Sequence, residues 1–389
     1  MSSREGWKEY KIREIGVTIT GKTPLANNPL NFGDFIPFVT PTDFSNYNKN
    51  IYTASRGLSK DGVDKLKNKI LPENSILVTC IGSQMGKTAM NKVDCVTNQQ
   101  LNSIIPNIEK VNPDYLYYKM SSLRSFLRDM ATGGSTMPIV NKRDFEEISI
   151  LIPNIKTQQK IASILSSLDD KIELNRQMNE SLEEIAQSLF DEKFIKTLDP
   201  SIVRIDEYIN FNPRLRMSKG NEIPFVEMKY LPTKGMNVSE VIYKAFTAGS
   251  KYQKNDTLLA RITPCLENGK TAFVNFLEED AIGFGSTEFI VMRAKEGISP
   301  QFVYCLARNE AFRQYAINSM VGSSGRQRIQ LDMLVNFEIP KIDVVAINKF
   351  DDLTKSIFEQ INSNRIEIQE LSRIRDILLP KLMSGEIEV

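Results

Sequence analysis

Two long stretches of the chain carry mostly apolar residues at alternating steps of four and three positions. These positions are Leu168, Ile172, Asn175, Asn179, Leu182, Ala186 and Leu189 in the first stretch, and Ile357, Ile361, Asn364, Ile368, Leu371, Arg375 and Leu378 in the second. Neither Pro nor Gly interrupts residues 157–194 or 343–379. Such spacing is typical of helices that pack through one narrow stripe. We therefore predict two long helices, the second of which ends at Pro380 and Gly385.

The segments before these helices have a different pattern. Short β-branched runs at 75–81, 257–262 and 288–293 are separated by Gly, Pro and Asn, which indicates strands joined by turns. An amphipathic helix is predicted after the strands of each segment, over 114–130 and 301–319.

The chain also repeats itself. IPFVTPTDF at 36–44 is similar to IPFVEMKYL at 223–231, GKTAM at 86–90 to GKTAF at 269–273, and KIELNRQMNESL at 171–182 to QINSNRIEIQEL at 360–371. The similar segments keep their order, which indicates a tandem duplication. An apolar stripe on one helix equally suits ordinary core packing, but two equivalent helices favour antiparallel pairing with each other. Asn175 and Asn364 would then fix the register.

Composition limits the chemistry. The chain has no His, which excludes every mechanism that needs an imidazole, and its four Cys are scattered singly without the spacing of a zinc site. We expect no bound metal, free thiols and a cytoplasmic protein without a signal peptide or membrane span. With 49 basic and 48 acidic residues the net charge is +1. The segments 1–152 and 200–340 are mildly basic, whereas the helical stretches are mildly acidic.

Local motifs give weak signals. Residues 16–23 fit the phosphate-binding pattern G-x-x-x-x-G-K-[ST], but Pro24 and Pro29 forbid the helix that such a loop needs. Asn112-Pro113-Asp114-Tyr115 is better interpreted as the start of a helix than as a methyltransferase motif. The carboxylate pairs 169–170 and 183–184 are interpreted as solvated helix faces.

The helical motifs identify a family resemblance. IPNIKTQQKIASILSSLDDKIELNRQMNESLEEIAQSLFDEKF at 152–194, ILLPKLMSGEIEV at 377–389, GKTP at 21–24 and GGSTMP at 133–138 resemble the specificity (S) subunit of type I restriction–modification systems. The second half departs from the first, because it has no GKTP counterpart and has GSSGRQR at 322–328 in place of GGSTMP.

The resemblance implies an α+β fold in which two tandem target-recognition domains, of mixed sheet plus helices, are joined by two long antiparallel coiled-coil spacer helices with pseudo-twofold symmetry. The expected boundaries are 1–153 for the first recognition domain, 154–198 for the central spacer helix, 199–340 for the second domain and 341–389 for the C-terminal spacer helix. Spacer pairing is expected through Leu168, Ile172, Asn175, Leu182, Leu189, Ile357, Ile361, Asn364, Leu371 and Leu378.

It also implies that each domain recognises half of a bipartite site in double-stranded DNA and that the chain has no catalytic centre. Two methylation (M) subunits and motor–nuclease (R) subunits would be the partners. S-adenosylmethionine, ATP and Mg would bind to those partners, and adenine methylation and DNA cleavage would be theirs.

Polar loops that contain Gly, Ser or Thr beside a basic or amide side chain are the expected DNA contacts. In the first half these residues are Lys22, Thr23, Thr42, Asp43, Ser83, Gln84, Lys87, Ser135 and Thr136. In the second half they are Arg261, Lys270, Ser323, Ser324, Arg326, Gln327 and Arg328. Two alternatives remain open: a coiled-coil protein adaptor without DNA specificity, and a phosphohydrolase centred on Lys22.

Overall fold

A computed structural model of the chain describes residues 6–25, 27–45, 49–131, 139–196, 201–323 and 325–389. The chain divides into two compact units. The first unit comprises Met1–Ile172 together with Glu370–Val389, and the second comprises Glu173–Gln369. Each unit therefore contains a strand-rich part and a piece of each long helix.

The first unit contains ten strands among its described residues. They are β1 (Lys8–Lys11), β2 (Gly16–Thr20), β3 (Phe32–Val39), β4 (Asn50–Ile51), β5 (Gly57–Leu58), β6 (Ile76–Thr79), β7 (Thr88–Asn91), β8 (Val96–Thr97), β9 (Leu101–Pro106) and β10 (Ser149–Ile152). The main sheet has the order β2-β9-β6-β7-β4, a smaller sheet has the order β5-β3-β8, and β1 pairs with β10.

The helices of the first unit are α1 (Ile12–Ile15), α2 (Lys60–Asp64), α3 (Pro113–Ser122), α4 (Arg124–Ala131), α5 (Lys142–Glu146) and the start of α6 (Ile155–Phe190). Its main core joins β6, α3 and α6 through buried side chains such as Ile76, Tyr115 and Leu165. The segment 112–115 begins a helix as predicted, because the Asn112 side chain accepts a hydrogen bond from the Tyr115 N–H at 2.9 Å and Pro113 occupies the first turn.

The second unit contains twelve strands among its described residues. They are β11 (Ile202–Arg204), β12 (Ile209–Phe211), β13 (Glu222–Val226), β14 (Ile242–Ala245), β15 (Ser250–Gln253), β16 (Thr257–Ala260), β17 (Thr271–Phe273), β18 (Ile282–Gly285), β19 (Phe289–Ala294), β20 (Met320–Val321), β21 (Arg328–Ile329) and β22 (Glu338–Pro340). Its sheets have the orders β12-β19-β16-β17 and β14-β13-β18-β15, β11 pairs with β22, and β20 pairs with β21.

The same topology therefore occurs twice. The order β2-β9-β6-β7 in the first unit matches β12-β19-β16-β17 in the second, and the pair β1-β10 matches β11-β22. The helices of the second unit are α7 (Pro300–Arg308), α8 (Glu310–Asn318), α9 (Leu331–Leu334) and most of α10 (Val344–Ser384). This duplicated α+β architecture confirms the predicted fold class.

Each amphipathic helix predicted at 114–130 and 301–319 is two helices. The break lies at Leu123 between α3 and α4, and at Asn309 between α7 and α8. Asn309 has an extended backbone, and its side chain accepts hydrogen bonds from the N–H groups of Ala311 and Phe312, so it caps a new helix. The sequence predicts one continuous helix here because the apolar pattern runs on through Asn309, and a single capping amide does not interrupt it.

The long helices form where the apolar stripe predicts them. Helix α6 is followed by a π-helical turn, Asp191–Ile195. The prediction that Pro380 ends the second helix is wrong, because α10 continues through Pro380 to Ser384, and Gly385 then follows with φ +74°. The last turn contributes Leu382 and Met383 to the first unit's core, and this burial offsets the backbone hydrogen bond that proline cannot donate.

The pairing of the helices is antiparallel. Within the second unit, the Asn175 amide donates to Glu367 and the Asn364 amide donates to Asn179, both at 2.8 Å. The residue number of the partner on α10 therefore decreases as the residue number on α6 increases, which is the antiparallel arrangement. Of the two predicted register residues, Asn364 thus binds another residue of the stripe, Asn179, whereas Asn175 binds Glu367, which lies next to the stripe.

Two predicted solvated carboxylates are not solvated. Asp169 is only 6% exposed and Glu183 is partly buried. Asp169 accepts hydrogen bonds from the Tyr118 hydroxyl at 2.6 Å and from Arg375 Nη1 at 2.8 Å. Glu183 accepts from the Met236 N–H at 2.8 Å and from the Tyr304 hydroxyl at 3.0 Å. The prediction that Asp169 and Glu183 are solvated was wrong because their hydrogen-bond partners are distant in sequence.

Candidate nucleic-acid interface

Three loops of the second unit converge beside strand β16. The backbone N–H of Arg261 donates to the carbonyl of Glu288 at 3.0 Å, and the backbone carbonyl of Arg261 accepts a hydrogen bond from the N–H of Ile329 at 2.9 Å. Thr263 donates its N–H to the carbonyl of Gln327 at 3.0 Å. We call the residues 261–263, 286–288 and 326–329 the second-unit loop cluster. It brings together Arg261, Arg326, Gln327 and Arg328, which the sequence predicts as DNA contacts.

A carboxylate organises the arginines of this cluster. Arg328 donates from Nε and Nη2 to Glu288 Oε1 at 2.9 and 2.8 Å, and Arg261 Nε lies 3.9 Å from the same carboxylate. The hydrogen bond with Glu288 raises the pKa of the Arg328 guanidinium. Among the described residues no partner is found for Arg328 Nη1 or for the second Nη2 proton, so the guanidinium has one edge bound to Glu288 and one open edge.

The first unit has a corresponding arrangement at the end of β6. Val140 donates its N–H to the carbonyl of Cys80 at 2.9 Å, and Ile81 forms an isolated β-bridge with Ile139. The loop that follows contains Ser83, which is exposed, and Gln84, which is half-buried. Gly82 and Gly86 have φ +86° and +76°, a conformation that favours glycine and makes this tight turn possible.

Some predicted contacts lie in segments that the structure does not describe. Ser135, Thr136 and Ser324 fall outside the described residues. Ser323 and Arg326 flank the last of these and are exposed, with the Arg326 N–H donating to the Ser323 carbonyl at 3.0 Å.

Other predicted contacts use their polar atoms inside the fold. The Asp43 carboxylate accepts the backbone N–H groups of Thr40 and Ser55, each at 2.8 Å, while neighbouring Thr42 is exposed. Lys270 Nζ donates to the carbonyl of Met228 at 2.7 Å. A DNA contact by Asp43 or Lys270 would therefore compete with an internal hydrogen bond.

Two further predicted contacts follow the edge strand β2. The Lys22 N–H donates to the carbonyl of Thr97 at 2.9 Å, and the Thr23 hydroxyl donates to Gln99 at 2.6 Å. Because Gly16–Thr20 is a strand, the pattern at 16–23 does not have the geometry of a phosphate-binding loop before a helix.

Lys87 lies near a second cation. Burial and the charge of Arg124 lower the pKa of Lys87. Both residues line a cavity of about 400 Å³ in the first unit, together with Asp169 and Arg375. The cavity is part of the first unit's helix packing, where Asp169 neutralises Arg375.

The predicted spacer-pairing residues have unequal burial. Ile172, Asn175, Ile361 and Asn364 are buried, whereas the others are half-buried, namely Leu168, Leu182, Leu189, Ile357, Leu371 and Leu378. The half-buried residues flank buried positions of the same helices, such as Phe190 and Phe358.

Sequence reasoning missed Glu288, whose position between two arginines defines the second-unit loop cluster. Nothing in its neighbourhood, GFGSTEF at 283–289, distinguishes it from a surface acid. It also missed Arg308, which donates to the carbonyls of Thr233, Gly269 and Thr271 at 2.8–3.0 Å and so ties two loops to α7. An arginine at a helix end gives no such signal by itself.

The described part of the chain contains no group of three or more His, Cys, Asp or Glu residues arranged to hold a metal ion. Burial raises the pKa of the Cys80 and Cys95 thiols to about 12, so neither is a reactive thiolate at neutral pH. None of the described helices is long and apolar enough to cross a membrane.

Comparison with known proteins gives consistent matches. Residues 4–184 match the family described as the type I restriction modification DNA specificity domain. The chain is 30% identical to the type I restriction enzyme MjaIX specificity subunit of Methanocaldococcus jannaschii, with 98% of this chain and 94% of that protein aligned. It is 34% identical to the HindI specificity subunit of Haemophilus influenzae over 44% of this chain and 38% of that protein.

Among solved structures, the S subunit of a type I restriction–modification system from M. genitalium has a TM-score of 0.59 and 15% sequence identity. That comparison covers 98% of this chain and 97% of the other. At this identity the likeness concerns the fold.

Proposed function

Because the chain belongs to the family of type I restriction–modification DNA specificity subunits, we propose that each unit recognises one half of an interrupted DNA target. The recognition domains would be 1–153 and 199–340, and the spacer helices 154–198 and 341–389. The family is non-catalytic. DNA specificity is therefore the function of this chain, and an adaptor without DNA specificity is not favoured.

The observation that carries the residue-level proposal is the Arg328–Glu288 pair. An arginine held along one edge by a carboxylate loses little further freedom when its other edge binds. The open edge has the spacing needed to donate to O6 and N7 of guanine in the major groove. Because Glu288 is shared with Arg261, the cluster keeps a net positive charge toward DNA.

The proposed test is Arg328→Ala in the complex assembled with the partner methylation subunits. We expect a loss of about 1–3 kcal/mol in binding to the cognate site, with relaxed specificity at one base pair of one half-site. Binding to single-substitution DNA libraries measures both effects.

Arg204→Ala is the matched control. Arg204 donates from Nε and Nη2 to Asp206 at 3.2 and 2.7 Å, the same bidentate geometry, but lies on β11 outside the loop cluster. The proposal is wrong if both variants lose affinity equally, or if Arg328→Ala weakens all sequences to the same extent.

We further propose that methylation and motor–nuclease subunits are the partners, that two methylation subunits bind, and that adenine methylation and cleavage belong to them, with S-adenosylmethionine, ATP and Mg as their cofactors. Exposed apolar side chains on the helices support a protein contact. In the first unit these are Ile164, Ile374 and Ile377, and in the second Leu174, Met178, Ile185, Leu353 and Ile366. The expected compartment is the cytoplasm, where free thiols persist.

A further inference from the structure

A basic cleft opens in the second unit beside the edge strand β12. It has a volume of about 610 Å³ and is lined by residues 212–216, by Gly249, Ser250 and Lys251, and by Val291. None of these residues belongs to the second-unit loop cluster, and none was predicted as a DNA contact.

The first wall of the cleft is a pinned, extended segment. Asn212, in the left-handed region at φ +48°, donates its N–H to the carbonyl of Val291 at 2.7 Å. Its side-chain oxygen accepts the N–H of Val291 at 2.9 Å. The chain then leaves the sheet with Leu215 half-buried and both Arg214 and Arg216 exposed. The two guanidinium groups are thus attached to a fixed backbone.

The opposite wall is built from backbone and one lysine. Gly249 has φ +145°, and a Cβ at this position would overlap the carbonyl oxygen of Gly285, so this part of the wall needs glycine. Lys251 Nζ donates to the carbonyl of Leu215, which connects the two walls.

The charge of the cleft is unbalanced. Its described lining contains Arg214, Arg216 and Lys251 and no carboxylate. Five other arginines of the same unit each pair with an acidic side chain, namely Arg204, Arg261, Arg293, Arg313 and Arg328. By contrast, no ion pair of Arg214 or Arg216 is found among the described residues. Adjacent cations without counter-charges in a concave site attract a polyanion.

The position in the fold indicates which polyanion. Strand β12 occupies the place in its sheet that β2 occupies in the first unit. Residues 212–216 therefore correspond in topology to the segment after β2, which holds Lys22 and Thr23. The correspondence is not visible in the sequence, because Asn-Pro-Arg-Leu-Arg at 212–216 stands where the first unit has Gly-Lys-Thr-Pro at 21–24.

We propose that the cleft binds phosphates of the DNA half-site recognised by the second unit, with Arg214 and Arg216 as backbone-positioning contacts. This inference rests on the proposed function. Phosphate contacts fix the register of a protein on the duplex without distinguishing sequence, whereas the loop cluster would supply the base contacts.

The experiment compares the wild-type complex, assembled with its methylation partner, with the Arg214→Ala/Arg216→Ala variant over 50–200 mM salt. The slope of log affinity against log salt is negative, and each lost phosphate contact reduces its magnitude by about 0.9. We expect the magnitude of the slope to decrease by about 2 in the variant. The loss of affinity between 50 and 200 mM salt should therefore be roughly 10-fold smaller for the variant than for wild type. The preferred sequence should not change.

Two further variants make the result specific. Arg214→Lys/Arg216→Lys keeps both charges and should restore the wild-type slope, because a phosphate needs charge more than a fork. Arg204→Ala/Lys229→Ala removes two exposed charges that pair with Asp206 and Glu227, and should leave the slope unchanged.

An unchanged slope in the Arg214→Ala/Arg216→Ala variant, with normal site-specific binding by wild type, would overturn the phosphate cleft and leave the proposed function intact. A loss confined to one base pair would overturn it too, since it would indicate base recognition. An absence of site preference in the wild-type complex would instead refute the proposed function.

Discussion

The two units hold their long helices with different chemistry. In the first unit, Asp169 of α6 accepts hydrogen bonds from Tyr118 of α3 and Arg375 of α10. In the second unit, the rings of Phe190, Phe194, Phe302 and Phe350 lie with centroids 5.0–6.3 Å apart. A polar network and an aromatic cluster therefore perform the same structural task.

A further difference lies at the positions of the second unit that are equivalent to this polar network. NPDYLYYKM at 112–120 corresponds to SPQFVYCLA at 299–307, an offset of 187 residues, and 171–182 corresponds to 360–371, an offset of 189 residues. Tyr118, Asp169 and Arg375 therefore correspond to Cys305, Phe358 and Ala186. Cys305, Phe358 and Ala186 are all buried, and Phe358 contacts Phe273 and Tyr304 ring to ring. The duplication thus preserved where helices pack but not the interactions there. A polar network depends on every partner, whereas an apolar cluster depends on filled volume.

The largest effect is expected from Phe190→Ala. The ring is fully buried, so its removal leaves a cavity and should lower the free energy of unfolding of the second unit by about 4 kcal/mol. Urea unfolding followed by far-UV circular dichroism measures this loss. Ile185→Ala, on an exposed part of the same helix, is the control and should cost under about 1 kcal/mol. Similar losses for both variants would contradict the aromatic-cluster interpretation.

Asp169→Ala should destabilise the first unit by about 3 kcal/mol, because it leaves Tyr118 without its acceptor and removes the buried counter-charge of Arg375, which then keeps only the exposed Asp376. The single tryptophan, Trp7, belongs to the first unit, so its fluorescence during urea unfolding follows this change. Asp170→Ala removes an exposed neighbouring carboxylate and should change stability by under about 0.5 kcal/mol. An equal loss in both variants would show that the network is not the cause.

Converting the first unit to apolar packing should cost little. Tyr118→Phe/Asp169→Leu/Arg375→Met removes all three polar partners at similar volume, and we expect stability within about 1 kcal/mol of wild type. The same Trp7 measurement applies. If this triple variant were as unstable as Asp169→Ala, then the first unit would need polar chemistry at this position and the comparison would fail.

The smallest effect concerns pH. Burial raises the pKa of Glu183, despite hydrogen bonds from Met236 and Tyr304 and the charge of Arg308. Below the ordinary glutamate pKa of about 4.3 both states are protonated; above it the unfolded state ionises first, so this contribution to stability is lost as pH rises.

Glu183→Gln should therefore become more stable relative to wild type between pH 4 and pH 7. The pH dependence of the unfolding midpoint by circular dichroism measures this, with exposed Glu184→Gln as the control. A stability difference between Glu183→Gln and wild type that is constant with pH, or that changes in the opposite direction, would show that burial does not raise the pKa of Glu183.

The predictability of the candidate site follows distance along the chain. Arg326, Gln327 and Arg328 were predictable because basic and amide residues within one Gly/Ser loop are a local signal. Glu288 was not, because its partners Arg261 and Arg328 lie 27 and 40 residues away. Arg214 and Arg216 escaped notice for a related reason: their position relative to the sheet is defined by hydrogen bonds to Val291.

The duplication, the two long helices, the α+β architecture and the family resemblance can all be inferred from the chain alone, because periodicity and repeated segments are properties of local order along it. The folded structure was needed to show which charges are buried, which arginines are held by carboxylates, and that α10 continues through Pro380. Those outcomes depend on side chains far apart in sequence. Asp169 and Asp170 are adjacent and chemically identical, and only the contacts of Asp169 with Tyr118 and Arg375 separate a buried partner from a solvated one.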